Sequence, residues 1–478
     1  WAPNCAEWVL VQYATAKVGA ILVNINPAYQ TSEVEYVLRQ SGTSVLVSAS
    51  TFKTSDYAAM IAEVRSNLPA LKTVILLDRG TGQGDLTWDA FLARASEARA
   101  DLLAERQASL QFDDPINIQY TSGTTGFPKG ATLSHHNILN NGDNVTAIQG
   151  LGVGDKLCVP VPLYHCFGMV MGNLGCTTRG ATIVYPAEAF EPAAVLEAVA
   201  EERCVSLYGV PTMFIGVLDH PEFASYDLTS LRTGVMAGSP CPIEVMKRCV
   251  SEMHMAEVTI CYGMTETSPV SFQSRTDDPI ERRVSTVGRV HPHVECKVVD
   301  PTTDATVPPG APGEVCTRGY LVMRAYWDND EATRAAIDTA GWMHTGDLGV
   351  MDDEGYLNIS GRIKDMIIRG GENIYPREIE EFLYSHPAIA DLQVIGVPDA
   401  RYGEEICAWV RLREGHELEL DDLKTFCQGK IAHYKVPRYL EIVDEFPMTV
   451  TGKIRKVEMR EISTRRLGLG GADSVETA

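Results

Sequence analysis

The chain holds 478 residues, 45% of them apolar, enough to bury a large core and to form more than one domain. Its 63 acidic against 41 basic residues give a formal charge of −22, which argues against nucleic acid or an anionic membrane surface as the main partner. No apolar run approaches the roughly 20 residues of a spanning helix, and 12 cysteines without a Cys-x-x-Cys pair point to neither a zinc site nor a disulfide framework.

Reduced thiols inside a cell are the default reading. The expected location is therefore the cytoplasm, with a mitochondrial matrix form left open. The chain opens at Trp1, already inside a helical pattern, so a preceding portion is expected and any targeting segment lies outside the sequence. In chain order, Asn4 to Val18 carries apolar residues at helical spacing, and Ala20-Ile21-Leu22-Val23-Asn24 reads as a short buried strand. Thr31 to Arg39 is a second helix, and Ser44 to Ser48 and Thr73 to Leu77 are further strands. Strands alternating with helices predict an α/β fold with mostly parallel sheets covered on both faces.

Ile116-Asn117-Ile118-Gln119-Tyr120 alternates as a strand and runs into Thr121-Ser122-Gly123-Thr124-Thr125-Gly126-Phe127-Pro128-Lys129-Gly130. Glycines let the backbone approach a ligand, and consecutive N–H groups, hydroxyls and an ammonium suit a polyphosphate. The run is not a Walker A loop, because Pro128 precedes Lys129 and Gly130 stands where a hydroxyl is required. The bland alternative is a surface loop. This stretch resembles the phosphate loop of the adenylate-forming superfamily, which includes acyl-CoA synthetases and peptide-synthetase adenylation domains.

Ser134 can cap a helix through His135, His136 and Asn137. The two histidines point about 100° apart on a helix, which argues against a shared metal. In Pro162-Leu163-Tyr164-His165-Cys166-Phe167-Gly168, His165 and Phe167 close a strand where ligands bind in open α/β sheets. Core packing explains them equally well; the resemblance implies an acyl-pocket wall. The stretch Ser206 to Thr212, with Tyr208 and Val210, reads the same way.

Gly234 to Pro240 ends a strand with small residues, and the resemblance implies that Gly238, Ser239 and Pro240 border the adenine and the acyl group, beside Met236. Tyr262-Gly263-Met264-Thr265-Glu266 is either an N-capped turn or the superfamily's second motif, in which Tyr262 stacks, Thr265 contacts phosphate and Glu266 holds Mg²⁺. Asp347, in a Gly-flanked turn, can accept hydrogen bonds from both ribose hydroxyls. By resemblance Arg362 is the second ribose residue and Lys364 the hinge. Arg369-Gly370-Gly371-Glu372 resembles loops acting on CoA, and Lys453, in Phe446 to Ile454, occupies the catalytic lysine position.

The resemblance spans nearly the whole chain. It implies a large N-terminal domain (1–362), a small mobile α+β C-terminal domain (363–466) and a disordered tail (467–478). It also implies a fatty acid–CoA ligase of the medium-chain branch, consuming ATP with Mg²⁺ and passing an acyl-adenylate to CoA. Thr265, Glu266 and Lys453 would carry the chemistry. Tyr164, His165, Phe167, Tyr208, Val210 and Met236, with Gly238 and Gly263, would form the acyl pocket. The expected partners are these small molecules; oligomeric state stays open. A carrier-loading adenylation domain is the alternative, weakened because Ser206 to Thr212 offers no Asp for an α-amine. A non-catalytic nucleotide-binding protein would be expected to have lost Lys453 or Glu266, and both are present.

Overall fold

A computed structural model describes residues 1–78, 84–97, 99–121, 128–239, 241–370, 372–448 and 454–469. Its largest sheet runs Thr182–Val184, Lys156–Cys158, Ser206–Gly209, Thr233–Ala237, Glu257–Gly263, Val270–Gln273, Arg289–Val290. The first five strands are parallel and the last two antiparallel. Helices such as Pro192–Glu202 and Ile243–Glu252 make the crossovers that parallel pairing requires.

Both faces of this sheet are covered, and side chains alternate between them with period two. Tyr208, Val235, Ala237 and Cys261 belong to one cluster, with Phe167 and Val210. Leu207, Met236 and Ile260 belong to the other, with Phe214 and Phe272.

A second sheet orders Leu22–Asn24, Pro115–Thr121, Lys129–Ser134 and Ala325–Tyr326, parallel in its first pair and antiparallel after that. Helix Ala6–Val18 packs beside it and stops at Gly19, whose φ of 68° is left-handed. Helix His135–Ile148 starts as the sequence predicts: Ser134 Oγ accepts a 3.2 Å bond from Asn137 N. A third sheet, Val294–Val299, Pro312–Gly319, Met343–Met351, Leu357–Arg362, is wholly antiparallel, and it was not distinguished in the sequence.

From Ile367 onward a separate sheet forms from Ile367–Arg369, Glu372–Ile374, Ile389–Asp399, Gly403–Leu412 and Tyr439–Ile442. Helices Pro376–Leu383 and Leu420–Cys427 cover one face, and Lys456–Arg466 covers the other. This is the α+β unit expected at the C-terminal end. Arg377 ties it to the rest by donating 2.9 Å to the Ile359 carbonyl. Among the described residues no helix is long and apolar enough to cross a membrane.

Candidate active site

The strands Pro115–Thr121 and Lys129–Ser134 pair Thr121 with Lys129 and Tyr120 with Gly130, so they bring the two ends of the phosphate loop together. Ser122, Gly123, Thr124, Thr125, Gly126 and Phe127 lie outside the described residues. The flanks are anchored: Tyr36 OH donates to the Pro128 carbonyl at 3.1 Å, and Tyr120 OH donates to Gln40. Gly130 admits no side chain, since a Cβ would stand 2.8 Å from Ile118 Cγ2.

Glu266 faces this loop from the turn that follows Glu257–Gly263. It is 5% exposed, and its Oε1 accepts from Tyr326 OH at 2.8 Å and from Thr121 Oγ1 at 3.4 Å. Among the described residues no cation pairs with it, although the Lys129 ammonium lies 5.1 Å from the centre of the Tyr326 ring. Thr265 sits half-buried beside it. The turn is tight enough to demand glycine at 263, where a Cβ would approach the Pro269 carbonyl oxygen to 1.9 Å.

The expected ribose residues meet in one place. Asp347 and Arg362 are direct cross-strand neighbours, and Arg362 Nε donates 3.2 Å to Asp347 Oδ1. Tyr262 OH donates 2.7 Å to Asp347 Oδ2. Burial raises the Asp347 pKa, against the pull of Arg362 and Tyr262. Burial, then the Asp347 charge, raises the Tyr262 phenol well above its usual range, so it remains a donor. Lys364 follows two residues after Arg362. Burial and the Arg362 charge lower its pKa, while Asp365, Asp347 and Glu266 oppose that shift.

Asp347 is aimed by a bulge. Glu314 pairs with Leu348 and Cys316 with His344, so Thr345, Gly346 and Asp347 stand opposite Val315 alone. Such insertions re-aim side chains. Gly346 takes φ 71°, and its N–H donates 2.9 Å to Glu314 Oε1. Thr345 Oγ1 donates 2.7 Å to the Val315 carbonyl and accepts 3.1 Å from Asp347 N. Neither Glu314, Thr345 nor Tyr326 was picked out from the sequence; no local pattern marks them.

The apolar wall is partly assembled as expected. The Phe167 and Tyr208 rings lie 5.6 Å apart, Val210 joins them, and Tyr164 packs against the same cluster. Phe167 opens a buried π-helix, Phe167–Leu174, a form often found at functional sites. His165 Nδ1 accepts from Phe167 N at 3.1 Å. Met236 is not brought to this wall. It pairs with Gly209 while Tyr208 pairs with Val235, so the pleat turns it to the opposite face. Gly238, with φ 93°, and Ser239 follow the strand end next to Gly263; Pro240 lies outside the described residues. His135 and His136 part as expected: His136 meets the Phe112 and Tyr320 rings edge-on, while His135 Nε2 is buried without a partner among the described residues.

In the C-terminal unit Arg369 is engaged elsewhere, donating to Glu405 through Nε at 2.7 Å and Nη2 at 2.9 Å. Gly370 has φ 59°, and Glu372 pairs with Arg369 across the hairpin. Gly371 and Lys453 lie outside the described residues. Met448 and Ile454, which bracket the lysine loop, form a bridge to each other.

The AMP-binding enzyme family matches residues 1–327, and its C-terminal domain matches 378–453. The zebrafish (Danio rerio) mitochondrial medium-chain acyl-CoA ligase ACSF2 is 48% identical over 98% of this chain and 80% of its own. The anthranilate CoA ligase AuaEII in complex with anthranoyl-AMP superposes with TM-score 0.83 at 27% identity, covering 98% of this chain and 87% of that one. ATP-bound MatB from Rhodopseudomonas palustris gives TM-score 0.82 at 27% identity over 97% and 87%. With donors and carboxylates gathered at Glu266 and at Asp347, and a family match over more than half of its length, this chain belongs to the AMP-binding enzymes, as an adenylate-forming acyl-CoA ligase.

Proposed function

We propose that the enzyme activates a straight-chain fatty acid of medium to long chain with ATP and transfers it to CoA. The observation that carries this reading is the apolar wall of Phe167, Tyr208 and Val210, none of which is an acid that could pair with a substrate amine. The zebrafish relative, named a medium-chain acyl-CoA ligase, supports the same chain class.

Both reactants are anions, so the site must offset charge as well as align them. A substrate carboxylate oxygen bonds to the α-phosphorus, and pyrophosphate leaves with the bond's electron pair. Thr121 to Lys129 and Thr265 hold the phosphates, and Lys453 bridges carboxylate and α-phosphate. Tyr262, Gly263, Gly238, Ser239 and Pro240 border the adenine, while Asp347 and Arg362 take the ribose hydroxyls. Glu266, a buried carboxylate flanked by hydroxyls and by no cation among the described residues, fits Mg²⁺, which binds through one or two carboxylates plus substrate phosphates and water. When bound, Mg²⁺ supplies charge neutralisation at the phosphates. In the second half-reaction the CoA thiolate attacks the acyl carbonyl and AMP leaves. The part from 363 onward turns about Lys364 between the two steps, presenting Lys453 first and the Arg369–Glu372 loop second. The cytoplasm or the mitochondrial matrix would supply these substrates.

The test is pyrophosphate release across acids from butyrate to palmitate, with and without CoA. Each buried CH₂ is expected to add about 0.8 kcal/mol to kcat/KM until the pocket fills. A flat profile, a preference for amino acids, or turnover only with a carrier protein would overturn the reading. Lys453→Ala is expected to lose pyrophosphate release by about a hundredfold or more yet still convert synthetic acyl-adenylate to thioester.

A further inference from the structure

Glu314, Cys316 and His344 converge from the adjacent strands Pro312–Gly319 and Met343–Met351. One possible ligand atom from each lies within 4.8 Å of the others. His344 Nδ1 stands 3.0 Å from Glu314 Oε2 and 3.5 Å from Cys316 Sγ. A tetrahedral ion with bonds of about 2.0–2.3 Å to oxygen, nitrogen and sulfur holds those atoms roughly 3.3–3.7 Å apart. The two spacings from His344 are close to these and all three atoms lie within 4.8 Å, so modest side-chain shifts would close the set on an ion.

We propose that Glu314, Cys316 and His344 form a binding site for one thiophilic divalent cation of the zinc type, with water as the fourth ligand. A mixed sulfur, nitrogen and oxygen set selects such an ion over Mg²⁺, which prefers oxygen alone. Cysteine spacing excludes this site only if the ligands are sequence neighbours. Here they are 28 residues apart, and Cys316 and His344 meet as register partners across two strands. The oxygen of Glu314 left over is already oriented by the Gly346 N–H at 2.9 Å, the kind of outer-shell bond that fixes a ligand carboxylate. His344 is 22% exposed in its side chain and gives an entry path, while Cys316 is buried behind it.

On binding, the Cys316 S–H bond breaks, the sulfur electron pair forms the bond to the metal, and the proton passes to buffer, one per ion. The site is distinct from the nucleotide carboxylates, yet Glu314 connects the two. The same residue holds the bulge that aims Asp347, so an ion would clamp that turn.

The metal-free full chain is titrated with Co²⁺ and then with Zn²⁺. The expected result is one equivalent of Co²⁺ with a thiolate-to-cobalt charge-transfer band, bleached by one equivalent of Zn²⁺. Cys316→Ser keeps the Glu314 contacts to Gly346 and His344, so its adenylation activity is expected to stay unchanged. It should lose the thiolate band and bind Zn²⁺ at least about tenfold more weakly. His344→Gln is expected to weaken binding similarly, and serves if Cys316→Ser does not fold. No thiolate band in the folded wild type, or the same band and affinity in Cys316→Ser and His344→Gln, overturns the proposal; the chain's 11 other thiols make that comparison necessary.

Discussion

Glu266 and Glu405 are both buried carboxylates, 5% and 0% exposed, but they are held by different kinds of partner. In the C-terminal sheet Glu405 receives Arg369 through two bonds of 2.7 and 2.9 Å and lies 3.4 Å from Arg438. Beside the phosphate loop Glu266 receives, among the described residues, the hydroxyls of Tyr326 and Thr121. Burying a carboxylate costs several kcal/mol, and a guanidinium fork offsets that inside the protein. A carboxylate held by hydroxyls keeps its charge for something that arrives. The first arrangement is architecture and the second is the candidate site, although sequence alone gives both residues as single glutamates in turns or strands.

The largest expected effect on stability comes from breaking the architectural pair. Arg369→Met leaves Glu405 buried with Arg438 alone and is expected to lower unfolding free energy by about 3 kcal/mol in urea titrations. Arg369 also sits in the loop proposed to serve CoA. Its loss would then slow the thioester step, read with synthetic acyl-adenylate, beyond any loss of folded protein. Equal stability with wild type would erase the contrast with Glu266.

Glu266→Gln comes next and probes the other side. Adenylation is expected to fall about 10²–10³-fold, with unfolding free energy changed by less than about 1 kcal/mol. Pyrophosphate release and a urea titration on the same preparation read both quantities. A variant as destabilised as Arg369→Met would make Glu266 structural as well.

A smaller effect should come from Glu314, whose Oε1 accepts from Gly346 N–H at 2.9 Å and so holds the bulge before Asp347. Glu314→Ala removes the acceptor for Gly346 N–H, and kcat/KM for ATP should fall about tenfold, in line with one hydrogen bond to a charged group. The discriminating readout is 2′-deoxy-ATP. If Glu314 positions Asp347 for the ribose hydroxyls, the preference for ATP over the deoxy form should shrink as well. A loss shared equally by both nucleotides would make Glu314 a stabilising residue only.

These contrasts explain what could be read ahead of the structure. Strand Pro115–Thr121, the capped helix after Ser134 and the Asp347–Arg362 pair were all legible, because each rests on local periodicity, a cap or a motif. Tyr326 was not, since it reaches Glu266 from 60 residues away with nothing in Ala325-Tyr326-Trp327 to distinguish it from a core aromatic. Met236 is placed with Tyr208 by the resemblance alone. The register that separates their faces is a property of two strands together and cannot be read from either. The Cys316–His344 meeting is hidden for the same reason.

The subtlest test concerns the charge on Asp347, which differs from both glutamates in having one hydroxyl and one half-exposed guanidinium. Burial raises its pKa, and Arg362 and then Tyr262 hold it down. In the role proposed for it, accepting from two ribose hydroxyls, Asp347 must be ionised, and its protonation should then set an acid limb on kcat/KM for ATP, which reports the free enzyme. Because the pKa is raised, that limb should lie at higher pH than for an ordinary aspartate. Removing Arg362 removes a group that favours the ionised form. Arg362→Ala should therefore move the limb to higher pH, and Tyr262→Phe should move it the same way by less. The ionisation of ATP itself cancels in the ratio of variant to wild type at each pH. Arg438→Ala, which removes a guanidinium from Glu405 on the other sheet, should leave the limb where it is. A shift of the limb in Arg438→Ala, or none in Arg362→Ala, would mean that the acid limb belongs to another group and that the charge on Asp347 is not what the ribose site titrates.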